Sequence, residues 1–199
     1  MGERPAVLVI ACGALAHEIV ALRQANDWPH LVVQCLPADL HNRPEKIPAA
    51  VRDKIAANRG KFASIFVAYA DCGTGGRLDA VLEQEGIARI PGAHCYEFFA
   101  GSAVFAALAD AEPGTFYLTD FLVRQFDAFV WKPMGLDRHP DLRDMYFGNY
   151  TKLVYQAQVN DPALDAKAED CARRLGLAYE RRFTGYGDLA TTLTRVAAK

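Results

Sequence analysis

Three cysteines stand where an apolar, strand-like run gives way to glycine or to a helix start: Cys12 in VLVIACGALA, Cys72 in SIFVAYADCGTGG and Cys95 in ARIPGAHCYEFF. In an α/β protein such positions are the carboxyl ends of strands, the edge at which open parallel sheets collect ligands. Thiols far apart in the chain can converge there. Each of the three loops runs toward an expected helix amino terminus, where unpaired N–H groups and the dipole favour negative charge and lower a thiol's pKa. The thiolate is the form needed both for nucleophilic attack and for metal ligation.

The neighbours of these cysteines extend the chemistry. His94 offers an imidazole as ligand or base, and Glu97 a carboxylate. Gly13 follows Cys12, and Gly73, Thr74, Gly75 and Gly76 follow Cys72, so the backbone can approach a ligand closely. The GTGG stretch could also cradle a phosphate ahead of a helix. It is neither a Walker loop nor GxGxxG. Asp120, at the end of a later strand-like run, is a further pocket candidate for acid–base work.

Several readings stay open. Cys12, Cys72 and Cys95 with His94 or Glu97 could hold a tetrahedral zinc ion. The three cysteines alone could hold an iron–sulfur cluster with one open iron, although the tight ferredoxin spacing is absent. One cysteine could be a nucleophile in a metal-free enzyme acting on a small carboxylate or amine. All three could be buried small side chains, since free cysteine is among the most buried residue types. Cys35 precedes Leu36-Pro37 instead of a glycine loop, and Cys171 lies in a helical segment, so both read as structural.

The elements that must position these residues read as alternating strand and helix. Strands are expected at 6–12, 31–36, 64–70, 88–90, 115–119, 152–159 and 177–183. The continuous apolar run AVLVIAC is that of a strand buried on both faces. Helices are expected between them: Leu15, Ile19 and Leu22 fall at helical spacing, and Ile47, Val51 and Ile55 at four-residue steps. EFFAGSAVFAALAD reads as one strongly apolar helix, DFLVRQFDAFVW as an amphipathic one ended by Pro133, and the stretch about 120–150 as less regular. This rhythm predicts an α/β fold: a three-layer sandwich with a mostly parallel, Rossmann-like sheet, in a single domain over 1–199.

Composition sets the outer bounds. With 51% hydrophobic residues the 199-residue chain can fill a sizeable core. A formal net charge of -2 and no long basic run argue against nucleic acid as the main partner. The amino-terminal apolar run is too short to span a bilayer and lacks a signal-peptide pattern, so a cytoplasmic protein without a membrane partner is expected. Thiols there stay reduced, and five cysteines do not make a disulfide framework. A small-molecule ligand is expected, and some of the aromatic residues could line a subunit interface in an oligomer.

The combination ACGALA, YADCGTGG, HCYEFF, YLTDF and LGLAYERRFTGYGDL resembles the uncharacterised family catalogued as domain of unknown function 1638, over nearly the whole chain. Members of that family tend to be encoded beside corrinoid-dependent methyltransferases. The resemblance therefore implies a role in one-carbon or methyl-transfer metabolism, as a methyltransferase component, an accessory or a non-catalytic docking partner, with a corrinoid protein or methyltransferase as partner. The DxHxxG cobalt-ligating pattern is missing from this sequence.

Overall fold

A computed structural model describes residues 5–198. The α/β expectation holds: its strands pair in parallel and alternate with helices. They do not, however, join into one sheet. Two three-stranded parallel sheets form, and the chain expected as a single domain over 1–199 divides into two compact units. In described residues, one comprises 5–98 with 188–198 and the other 99–187.

The first unit is built on β1 (Val7–Cys12), β2 (Leu31–Leu36) and β3 (Ser64–Ala68), in the order β2-β1-β3. All six residues of β1 are buried, as a central strand covered on both faces must be. Helices α1 (Ala16–Ala25), α2 (Ile47–Asn58) and α3 (Arg77–Glu85) follow the three strands. The four-residue apolar steps of α2 put Ile47, Val51 and Ile55 into the core. The expected strand at 88–90 is reduced to a single parallel bridge between Val67 and Arg89. Then α4 (Cys95–Ala100) begins.

The apolar run expected as one helix breaks at Gly101, whose φ of +85° no helix accommodates, into α4 and α5 (Ser102–Ala111). The second unit then builds its own sheet from β4 (Thr115–Thr119), β5 (Lys152–Ala157) and β6 (Ala178–Phe183), paired in sequence order. Neighbouring strands that meet a local apolar core need no partner from elsewhere, which is why a second sheet forms instead of an extension of the first. That core gathers Leu118, Phe126, Leu153, Tyr155 and Leu164 with their neighbours.

Between β4 and β5 lies the irregular stretch foreseen about 120–150. A short helix α6 (Asp120–Arg124) passes into a π-helical turn at Asp127–Trp131, and α7 (Leu142–Phe147) follows. Helix α8 (Pro162–Leu175) is bounded by recognisable signals. The Asp161 carboxylate accepts from the Ala163 N–H at 2.9 Å, and Gly176 ends the helix at φ +72°. Cys171 is buried in its apolar face, the structural role expected of it. Helix α9 (Gly187–Ala197) returns the chain to the first unit, where the Ala197 carbonyl meets His30 Nε2 at 2.9 Å. No helix among the described residues is long and apolar enough to cross a membrane.

Candidate functional site

The three cysteines gather because of strand order. Cys12 is the last residue of β1, and β3 is its direct neighbour in the sheet. Cys72 follows β3 by four residues. Two backbone bonds then lash that loop to the segment before α4: the Asp71 N–H donates to the Gly92 carbonyl at 3.0 Å and the Cys72 N–H to the Ala93 carbonyl at 2.8 Å. Cys95 opens α4 two residues later. Three laterally successive segments thus deliver one thiol each to the carboxyl edge of the first unit's sheet. The sulfurs influence one another's ionisation. Among the described residues, no group of three or more His, Cys, Asp and Glu side chains is arranged to hold a metal ion.

Electrostatics overturn one expectation. Helix termini were expected to depress the thiol pKa values, yet burial wins and pushes all three up. Cys72 rises to about 12, by burial first and then by the neighbouring Cys12. Cys95 moves well above the usual thiol range through burial and both other cysteines. Cys12 also rises through burial, which outweighs its hydrogen bonds with the Ala14 backbone and Tyr69. The physical reason is that two of the expected dipoles are feeble. Cys12 runs into a three-residue 3-10 turn and Cys95 into a six-residue helix.

The glycine loop is organised around Asp71. Its carboxylate accepts from the Thr74 hydroxyl at 2.6 Å, the Gly75 N–H at 3.1 Å and the Gly76 N–H at 2.9 Å. Burial would raise this carboxyl, but those bonds and the nearby Arg89 guanidinium hold it down at about 2. A phosphate cradle over Gly73–Gly76 therefore meets a resident carboxylate that already occupies two of its N–H donors. Gly73, Gly75 and Gly76 all have positive φ, and so does Cys72 at +51°, a conformation rare for a residue with a side chain. Gly13 is required by a close approach within the fold. A Cβ there would lie 2.8 Å from the Leu36 carbonyl oxygen and 3.0 Å from the Ala38 nitrogen.

The charged and aromatic neighbours take distinct places. The Glu97 carboxylate turns back to accept the Ala93 N–H at 2.6 Å, and its carboxyl carbon would lie 3.0 Å from a Cβ on Gly92. It thus helps to shape the turn before α4. His94 stacks on Tyr96 with ring centroids 4.8 Å apart, and burial lowers its pKa, leaving a neutral imidazole. Asp120 belongs to the second unit. There its carboxylate, 1% exposed, accepts from the Tyr155 hydroxyl at 2.7 Å and the Gln158 N–H at 2.9 Å, with the Arg124 guanidinium at 3.6 Å.

The structure adds residues that sequence reasoning passed over. His41, in the turn after β2, has its pKa lowered by burial first and then by the nearby His94. Arg89 grips Asp79 through two nitrogens, at 2.6 and 2.8 Å, and donates to the Ile90 carbonyl at 2.7 Å. Cys35, expected to be structural, is exposed on β2. Tyr69 directly follows β3 and is 1% exposed. Its hydroxyl faces the Cys12 thiol closely enough for each to shift the other's ionisation. The apolar run SIFVAYA signalled a buried tyrosine, but only the fold reveals what its hydroxyl faces.

The model of a family described as "Protein of unknown function (DUF1638)" matches residues 35–193, a span that holds Cys72, Cys95 and Asp120 and leaves out Cys12. No curated protein and no solved structure matches the chain.

Proposed function

We propose that this chain, which belongs to the DUF1638 family, binds a soft metal centre, zinc or an iron–sulfur cluster, through the thiols of Cys12, Cys72 and Cys95. The observation behind the proposal is the delivery of three thiols to one sheet edge by three adjacent segments. Both centres take cysteine thiolates. A zinc ion would take its fourth ligand from the neutral imidazole of His94. The side chains as placed are not a finished ligand set, so binding requires the three sulfurs to draw together. The Gly73–Gly76 loop, rich in positive-φ residues, is the segment able to follow.

The same burial weighs against a metal-free nucleophile. All three thiols are pushed up and so stay protonated near neutral pH, the wrong form for attack. A bound cation reverses that balance, because a coordinated thiol is deprotonated outright. The setting proposed for the site is cytoplasmic one-carbon or methyl-transfer metabolism, as a component or accessory of a corrinoid-linked methyltransferase. That setting follows from the family resemblance and not from the geometry.

Elemental analysis and a visible spectrum on anaerobically purified protein test the reading. Iron with sulfide in a brown protein selects the cluster, and colourless stoichiometric zinc selects the ion. In either case Cys72→Ser should lose the metal. A protein that emerges metal-free and takes up neither zinc nor iron with sulfide on reconstitution refutes the proposal.

A further inference from the structure

Helix α5, SAVFAALADA, has Asp110 as its one charged residue, yet none of its residues is buried. A helix apolar on nearly every side belongs against a partner. Its inward edge is formed by Phe105, Leu108 and Ala109, all half-buried, with the Phe105 ring 5.1 Å from that of Tyr117. On the opposite face Ala103, Ala106, Ala107 and Asp110 are all exposed, at the i, i+3, i+4, i+7 spacing of one stripe. Val104 flanks that stripe and is 57% exposed.

The two ends of the helix carry matching defects. At the start the N-cap is Gly101, which has no side chain to accept from the leading N–H groups. At the other end Asp110 sits in the last turn, where the helix dipole disfavours an anion, and no basic residue shares that turn. Glu112 finds Lys152 at 2.6 Å, but Asp110 pairs with no cation among the described residues.

We infer that this face is a self-association surface, on which the α5 helices of two copies pack antiparallel across a two-fold axis. An axis passing between Ala106 and Ala107 brings Asp110 of each copy level with Ala103 of the other. Asp110 then meets an uncapped, positive helix end, so a charge misplaced in its own helix becomes a complementary contact, made twice. A parallel pair would set Asp110 against Asp110. The alanines let the axes approach to about 8 Å, the near end of the usual range. Ten residues span only about 15 Å, so the contact is small and the dimer is of the weak, concentration-dependent class. The metal-binding reading plays no part in this inference.

Sedimentation velocity on the full chain, from low micromolar to submillimolar protein, tests it. Reducing buffer keeps the exposed Cys35 from cross-linking copies. Wild type should pass from monomer to dimer across that range. Ala107→Arg sets two cations face to face at the axis and should stay monomeric. Arginine is a good helix former, so its melting temperature should match wild type. Asp110→Lys improves its own helix end and should melt at or above wild type, yet dimerise about 3- to 30-fold more weakly through the loss of two end contacts. Damage to the fold would move stability and association in the same direction. A wild type that stays monomeric throughout means that the face has another occupant, and overturns the inference. Dimerisation of Ala107→Arg at wild-type strength puts the contact elsewhere and overturns it too. Undiminished dimerisation of Asp110→Lys refutes the antiparallel pairing.

Discussion

Replacing Gly13 by alanine tests the close approach that sets Cys12 in place. Gly13 lies outside the left-handed region, so alanine can adopt its backbone without strain. On that ground alone Gly13→Ala would stabilise the protein by about 0.4–1 kcal/mol, by restricting the unfolded chain. The new methyl, however, would sit 2.8 Å from the Leu36 carbonyl oxygen, 3.0 Å from the Ala38 nitrogen and 3.2 Å from the Ala38 Cβ. The two closest of these are backbone atoms at the end of β2 and in the turn that follows it, and cannot rotate away. Forcing extra volume into a packed site costs about 1–3 kcal/mol, so the clash outweighs the entropy gain and leaves about 1–2 kcal/mol of net destabilisation.

The two tryptophans allow a clean readout. Trp28 lies in the first unit and Trp131 in the second, so a Trp131→Phe background leaves one fluorophore in the unit that carries the cysteines. With a slope of about 1–2 kcal/mol per molar urea, the Trp28 unfolding midpoint should fall by about 1 M. Metal uptake should fall as well, since β1 and β2 must part at the residue after Cys12. A midpoint equal to or above that of the parent would falsify the argument, because the methyl would then have found room.

Three further outcomes follow. Asp71→Asn weakens three hydrogen bonds that hold the loop after β3, and should cost about 1–3 kcal/mol with faster proteolytic nicking between Cys72 and Arg77. Unchanged nicking would show that the loop does not depend on the carboxylate. At Cys72, φ of +51° should make the apo fold discriminate between replacements. Asparagine, enriched in that region, should keep the melting temperature near wild type, whereas β-branched valine should cost about 1–2 kcal/mol, and both should abolish metal uptake. Equal apo stabilities of the two variants would remove the strain argument. Burial, and then the hydrogen bond to Asp120, raises the Tyr155 pKa. An unfolded tyrosine ionises near about pH 10, so the stability from this pair is complete below that pH and is lost as pH rises above it. Tyr155→Phe should therefore cost about 1.5–3 kcal/mol near neutral pH, with the gap to wild type closing in denaturant titrations above about pH 10. A gap that does not change with pH would show that the hydroxyl does not titrate with unfolding.

Much of the first unit was written in local pattern. The apolar run of β1, the four-residue steps of α2 and the glycine that closes α3 each reflect a short-range rule, and each element stands where that rule puts it. What misled was continuity. EFFAGSAVFAALAD looks like one helix because its apolar content is uniform, and a single positive-φ glycine inside it, Gly101, splits it into α4 and α5. Glu97 and Gly13 also make contacts with Ala93, Leu36 and Ala38 that no local rule announces.

The cysteines show where the division lies. Their positions after strand-like runs, the parallel α/β character and the buried place of Cys171 in α8 are properties of the sequence, because hydrophobic periodicity and turn residues act over a few positions. Which strands become neighbours is decided only in the folded chain. The order β2-β1-β3, with Arg89 bridged beyond β3, is what brings Cys12, Cys72 and Cys95 together and places Asp120 in the other unit. Tertiary burial also sets the charge of those thiols: desolvation reaches them from all sides and outweighs the dipole of any single turn. The same enclosure sets the Tyr69 hydroxyl against the Cys12 sulfur, a pairing that no local pattern announces.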